Sequence, residues 1–313
     1  MNTQAARAST PKTLLRILLP LALLLALGAP ASAQTAQTAP APDQEQATAR
    51  DGIALAPARF ELEMEPGAET TVVVSLDYHT ARPGARPSRI LASLNDWNLN
   101  PQGELEFFRA GTQDGSASPW LIYSPGEVLV EPGKTHSVRV TVTVPKDATP
   151  GDHLAALVIE QRPDSIKLNR NERQMVLRYR MAALFYIKVP RLTREGSLAN
   201  LKAAADEQGV AVTPTLRNTG NSVVRPVAAL SVLDASGRVV AHVPEAETLP
   251  VLARSELTQT LRLPRQLPPG QYTVSYKVNF QGHGKSTEGV TKLTVSEKAN
   301  APAPANADGA QSK

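Results

Sequence analysis

The residues most able to do chemistry are five histidines, His79, His136, His153, His242 and His283. They stand singly, near expected turns or on polar strand positions, and no two fall at the helical or hairpin spacing that lets imidazoles share a metal. Each fits an ordinary surface or loop residue. Serines are plentiful, but none occupies a Gly-x-Ser-x-Gly elbow, the strained turn that exposes a hydrolase nucleophile. The sequence has no His-Glu-x-x-His, no P-loop and no glycine-rich dinucleotide fingerprint. The carboxylates do not pair either. Asp147 and Asp152 flank a turn, and Glu61, Glu63 and Glu65 alternate with apolar neighbours, as the solvent face of a strand does. Glycosidase or calcium chemistry would need convergence from distant parts of the chain. The reading is therefore a non-enzymatic protein that needs no cofactor and no metal.

Charge points the same way. The net charge is +4, but Arg7, Lys12 and Arg16 all lie in the first 33 residues, where there is no acid. Without that segment, basic and acidic residues nearly balance and no long positive stripe remains, so nucleic acid is not an expected partner. Trp97 and Trp120 fit a sandwich core or rim better than a stacking platform.

The three basic residues precede an apolar run over 17–27, and Ala31, Ser32 and Ala33 follow. This is the arrangement of a secretory signal peptide cleaved after 33. The run is about half of the roughly 20 residues needed to span a bilayer, so no integral membrane segment is expected after cleavage. The expected location is the periplasm or the secreted face of a bacterial envelope. Residues 34–50 and 298–313 are rich in Ala, Pro, Gln and Asn, with too little apolar surface to offset the entropy of ordering, and are expected to be disordered.

Between these ends the pattern is that of strands. The chain has 26 prolines, 19 glycines and no cysteine, so turns are frequent and stability must come from packing and strand pairing without disulfides. Val138, Val140, Val142 and Val144 alternate with Arg139, Thr141 and Thr143, the clearest half-buried strand in the chain. Strands are also expected over 53–63, 70–76, 90–94, 105–108, 121–123 and 154–159. A run over 174–189 places Leu177, Tyr179, Met181, Ala183 and Phe185 on one side and Arg178, Arg180 and Lys188 on the other. It exceeds the usual ~3–10 residues of a strand, so it either bends between sheets or breaks near Ala182-Ala183, with a helix as the competing reading. Seven further strands, over 198–204, 210–217, 224–233, 238–243, 257–263, 271–279 and 288–295, match the scale of an immunoglobulin-type sandwich of about 100 residues. The expected fold class is all-β: two antiparallel immunoglobulin-like β-sandwich domains, 51–190 and 191–297, with disordered termini.

Three segments carry a family resemblance: Ala56-Pro57-Ala58-Arg59-Phe60, the turn Val130-Glu131-Pro132-Gly133 before the valine strand, and 178–186, which reads Arg-Tyr-Arg-Met-Ala-Ala-Leu-Phe-Tyr. With them the first domain resembles that of the periplasmic pilus and fimbrial assembly chaperones, the PapD-like family. Pro119-Trp120-Leu121 together with 145–152 is also similar to a pattern in secreted surface proteins that have no chaperone role.

The resemblance implies two sandwiches whose cleft holds the C-terminal carboxylate of a pilin or surface subunit. It also implies that the last strand of the first domain lends alternate apolar residues to that subunit by strand addition. Arg59 matches the family's first carboxylate-binding arginine, a fork suited to bidentate contact. The family's second anchor, a lysine just before Leu-Phe-Tyr, is Ala183 here, and only a bulge would bring Arg180 or Lys188 round to serve. The partner-binding set implied is Arg59, Leu177, Tyr179, Met181, Phe185, Arg180 and Lys188, with a pilin or surface subunit, an outer-membrane assembly protein or a second copy of the chain as partner. The competing function is a structural or adhesive envelope module without chaperone activity.

Overall fold

A computed structural model describes residues 52–80, 84–162, 180–280 and 286–296. The expected signal peptide, the 34–50 stretch, the 298–313 tail, Leu177 and Tyr179 lie outside the described residues. The first set of strands is β1 (Gly52–Ala56), β2 (Arg59–Glu63), β3 (Glu69–His79), β4 (Ser88–Leu99), β5 (Leu105–Arg109), β6 (Leu121–Ser124), β7 (Glu127–Val130), β8 (Thr135–Thr143), β9 (Gly151–Arg162) and β10 (Arg180–Val189). The second is β11 (Gly196–Asp206), β12 (Gly209–Asn218), β13 (Val227–Leu233), β14 (Val239–Glu247), β15 (Glu256–Thr258), β16 (Leu261–Leu263), β17 (Gly270–Asn279) and β18 (Ser286–Val295). Among the described residues the only helix is a 3-10 turn, Ser118–Trp120.

A sheet ordered β1-β3-β8-β6 faces one ordered β2-β10-β9-β4-β5, with β7 also on β4. The valine strand β8 shows why they pack: Val138, Val140 and Val142 are buried and pair with β3 so that Val74 stands opposite Val138. These valines join Leu76, Ile90, Leu157, Phe185 and Ile187 in one core. A second core, around Val212, Leu230, Val274 and Tyr276, lies between β11-β12-β15, with β16 also on β12, and β14-β13-β17-β18. Regular structure among the described residues is thus almost entirely strand, in sandwich-like pairs of sheets.

Two expectations about strands are corrected. The strand expected over 53–63 is two strands: Pro57 has no N–H to continue a ladder, and the chain changes sheets there. β1 pairs antiparallel with β3, whereas β2 pairs parallel with β10, Arg59 opposite Leu184 through Lys188 opposite Glu63. The sandwich is therefore mixed and not purely antiparallel. The strand expected over 257–263 also divides, into β15 and β16, both on β12.

The described part of the 174–189 run is a strand and not a helix. It neither breaks nor bulges at Ala182-Ala183, because β10 pairs with β9 residue by residue from Arg180 to Val189. Its odd-numbered residues, Ala183, Phe185, Ile187 and Val189, enter the core with Met181 half-buried beside them. Its even-numbered residues face outward.

Candidate functional site

Strand β10 is paired on both sides only from Leu184 onward. On one side β9 covers its full length; on the other, β2 reaches only Leu184–Lys188. The Leu184 N–H donates to the Ala58 carbonyl and the Lys188 carbonyl accepts from Met64 N–H. N–H and C=O of one residue point to the same side, and the side alternates along a strand. Arg180 and Ala182 therefore aim their backbone groups at the edge that β2 leaves open. Among the described residues no strand pairs there.

The outward face beside this edge carries a charge cluster. Glu61 Oε2 accepts from Lys188 Nζ at 2.6 Å, and Glu61 Oε1 lies 2.9 Å from an Arg225 nitrogen and 3.3 Å from Arg59 Nε. Lys188 is buried and the Arg225 side chain is 18% exposed, whereas that of Arg59 is 57% exposed. Partial burial opposes ionisation of Glu61, but the Lys188 hydrogen bond and the charges of Arg225, Lys188 and Arg59 outweigh it and hold the carboxyl below its usual value. Glu61 thus contributes stability above the ordinary carboxylate range that is lost as pH falls through the lowered value.

The structure gathers only part of the expected binding set. Arg59 and Lys188 meet through Glu61. Arg180 lies on the same outward face but stands over the Phe107 ring, 5.5 Å from its centroid. Met181 faces the first core, and Phe185 is fully buried with its ring stacked on Phe60 at 4.8 Å. Phe185, expected to face a partner, is a core residue here, because the odd-numbered side of β10 points between the two sheets. Glu61, expected on a solvent face, is the centre of the cluster. His153, expected at the surface, is buried, with its ring 4.3 Å from that of Trp120 and Nε2 bonded to the Thr149 carbonyl. Among the described residues no group of three or more His, Asp or Glu is placed to hold a metal ion, and no helix is long and apolar enough to cross a membrane.

The remaining outward face of β10, β9 and β4 is covered by loops preceding β13 and β15. Trp97, Ala156, Val158 and Tyr186 form a third apolar cluster with Val223 and Leu252. Polar bonds fasten the contact: Asp152 N–H donates to the Asn221 carbonyl, Val223 N–H donates to Asp152 Oδ2, and Thr258 N–H donates to the Pro101 carbonyl. Gly151 is positive in φ and its missing Cβ would lie 2.8 Å from the Asn221 carbonyl, so only glycine allows this approach. A cleft of about 800 Å³ opens beside the contact, lined by Asn98, Gln113, Asp114, His153 and Arg254 among others. Arg59, Arg180 and Ala182 do not line it.

Asp152 supplies a test of this junction. Burial pushes its carboxyl above the usual value, despite the Val223 N–H and the charges of Lys188 and Arg194. A carboxyl raised on folding is harder to ionise in the folded chain, so its contribution is most favourable at low pH and declines as pH rises past the ordinary value of 3.8. Asp152→Asn keeps an oxygen for Val223 and removes the charge. It is expected to raise the urea midpoint at neutral pH and to leave it unchanged near pH 3. Asp152→Ala orphans the Val223 N–H and is expected to cost ~1–3 kcal/mol.

No protein-family model and no curated protein matches the chain. Among solved structures it is similar to the class 5 fimbriae chaperone CfaA, at 14% identity over 78% of this chain and 100% of that one, with a TM-score of 0.38. It is similar to the CupB2 chaperone of Pseudomonas aeruginosa with the same identity, coverage and TM-score. A PapD-like domain of human CEP192 is 15% identical over 44% of this chain and 84% of that one, with a TM-score of 0.28. At such identity and overlap, the roles of these proteins do not transfer to this chain.

Proposed function

We propose that this chain is a non-enzymatic protein-binding protein of the bacterial envelope, chaperone-like in pilus or surface-structure assembly, which holds a partner segment as an added strand beside β10. The observation that carries this is the edge at Arg180 and Ala182 that no strand among the described residues pairs, where β2 stops short. An unpaired edge is a template for another chain, and strand addition satisfies its N–H and C=O groups while leaving the fold intact.

The geometry suits one direction best. A segment continuing the line of β2 runs parallel to β10 and ends against Ala58 and Arg59. A free C-terminal carboxylate at that point meets the exposed Arg59 fork, a charge-assisted contact. Ala183 offers no second charge. Lys188 and Arg225 lie beyond Glu61 and are engaged by it. Binding then rests mainly on backbone pairing, with Arg59 fixing where the segment stops. Residues 51–190 and 191–297 act as two folding domains in this reading, the first bearing the edge and the second bracing its outward face.

The test is recovery of a stoichiometric companion with a tagged chain from the envelope fraction. Arg59→Ala is expected to reduce companion recovery about tenfold, and to move stability by no more than ~0.5 kcal/mol because the side chain is mostly exposed. Extending the companion's C-terminus by several residues should cause a similar loss, with no further loss when the two changes are combined. Equal recovery by Arg59→Ala and wild type would contradict the carboxylate contact.

A further inference from the structure

We propose that Glu61 is a relay that couples Arg59, beside the partner edge, to Arg225, on the segment leading into β13. Its two oxygens are used unequally. Oε2 is held by the buried Lys188 ammonium, while Oε1 has two claimants, Arg225 at 2.9 Å and Arg59 at 3.3 Å. One claimant belongs to β2 where it stops beside the open edge, and the other comes from the segment leading into β13. Arg225 is otherwise placed over the Tyr186 ring, 5.8 Å from its centroid, and 3.9 Å from Glu247. Arg194 completes the charged lining of the small cleft formed by Glu61, Lys188, Arg225 and Phe280, and Asp152 faces Lys188 from β9.

Two cations on one oxygen repel each other and divide its charge. An anion that draws Arg59 away therefore leaves Oε1 wholly to Arg225, and the contact across the junction tightens. By reciprocity, whatever tightens the Glu61–Arg225 contact frees Arg59 for an incoming carboxylate. This rests on the proposed function only for the identity of the anion, the carboxylate of a partner strand. The coupling itself is a property of the free chain, and is tested there.

Urea midpoints of Arg59→Ala, Arg225→Ala and the double variant, each with Glu61 intact and in the Glu61→Gln background, form two cycles. With Glu61 present, Arg225→Ala is expected to lower the midpoint more in the Arg59→Ala chain than in wild type. In the Glu61→Gln background the difference between the two shifts should shrink to what direct repulsion between the two guanidinium groups leaves. Additivity with Glu61 present, or the same non-additivity in the Glu61→Gln background, overturns the relay. Amide exchange gives a second reading that needs no change at Glu61. Val223 N–H, bonded to Asp152, and Val224 N–H, bonded to the Val251 carbonyl, should exchange several-fold more slowly in Arg59→Ala than in wild type. Unchanged or faster exchange contradicts the proposal. A chain that shows the coupling but binds no companion would overturn strand addition and leave the relay standing.

Discussion

Phe185→Ala is expected to lower the unfolding free energy by about 3–5 kcal/mol, the cost of emptying a buried aromatic site, with the stacked contact to Phe60 adding to it. The ring is fully buried within the first core, so the void opens between two sheets that are each held by long ladders and cannot collapse freely. Chemical denaturation of the variant measures the effect directly. A residue that served only a partner would behave otherwise: its loss would spare stability and weaken binding. A shift below ~1 kcal/mol would contradict the placement of β10's odd-numbered side chains in the core.

Proline placed at two adjacent positions of β10 is expected to have opposite consequences. At Ala182 the N–H faces the open edge, so Ala182→Pro removes a donor used by no strand among the described residues, and proline is tolerated at such edges. The chain should fold, with stability changed by ~1 kcal/mol or less, and companion recovery should fall below about a tenth of wild type. At Ala183 the backbone faces β9 opposite Leu157 and the side chain is buried. Ala183→Pro breaks that ladder and forces a ring into a packed core, and is expected to cost ~3 kcal/mol or more. Denaturation and companion recovery on both variants separate the outcomes. Equal destabilisation by the two would mean that the edge beside Ala182 is already covered.

Periodicity finds the strands but not what covers them. The alternation in β8 and in 271–279 is legible because each side chain's neighbours two residues away repeat its character, and both sequences form strands with one buried face. Pro57 is visible as a residue, but its effect depends on β10, more than a hundred residues later. The parallel pair it produces leaves no local trace. The same limit applies to β10 itself, whose odd-numbered side reads as apolar whether it meets a core or a partner. On the even-numbered side, Tyr186 is buried only because Val223 and Leu252 come from elsewhere to cover it. Glu61 reads as a solvent-facing carboxylate because its cations lie at Lys188 and Arg225, and the latter is 164 residues away. The exposed Arg59 stands out from a motif, whereas Glu61 is found only by knowing which strand lies beside β2.

Amide hydrogen exchange at Ala182, in the free chain and in the complex recovered from the envelope, tests strand addition most directly. The Ala183 amide, turned toward β9, serves as the internal control and should exchange slowly in both. Strand addition predicts that the Ala182 amide exchanges rapidly in the free chain and at least about tenfold more slowly in the complex, where a partner carbonyl accepts it. An Ala182 amide that is equally fast in both states, or already as slow as Ala183 in the free chain, would contradict the claim that this edge receives a partner strand.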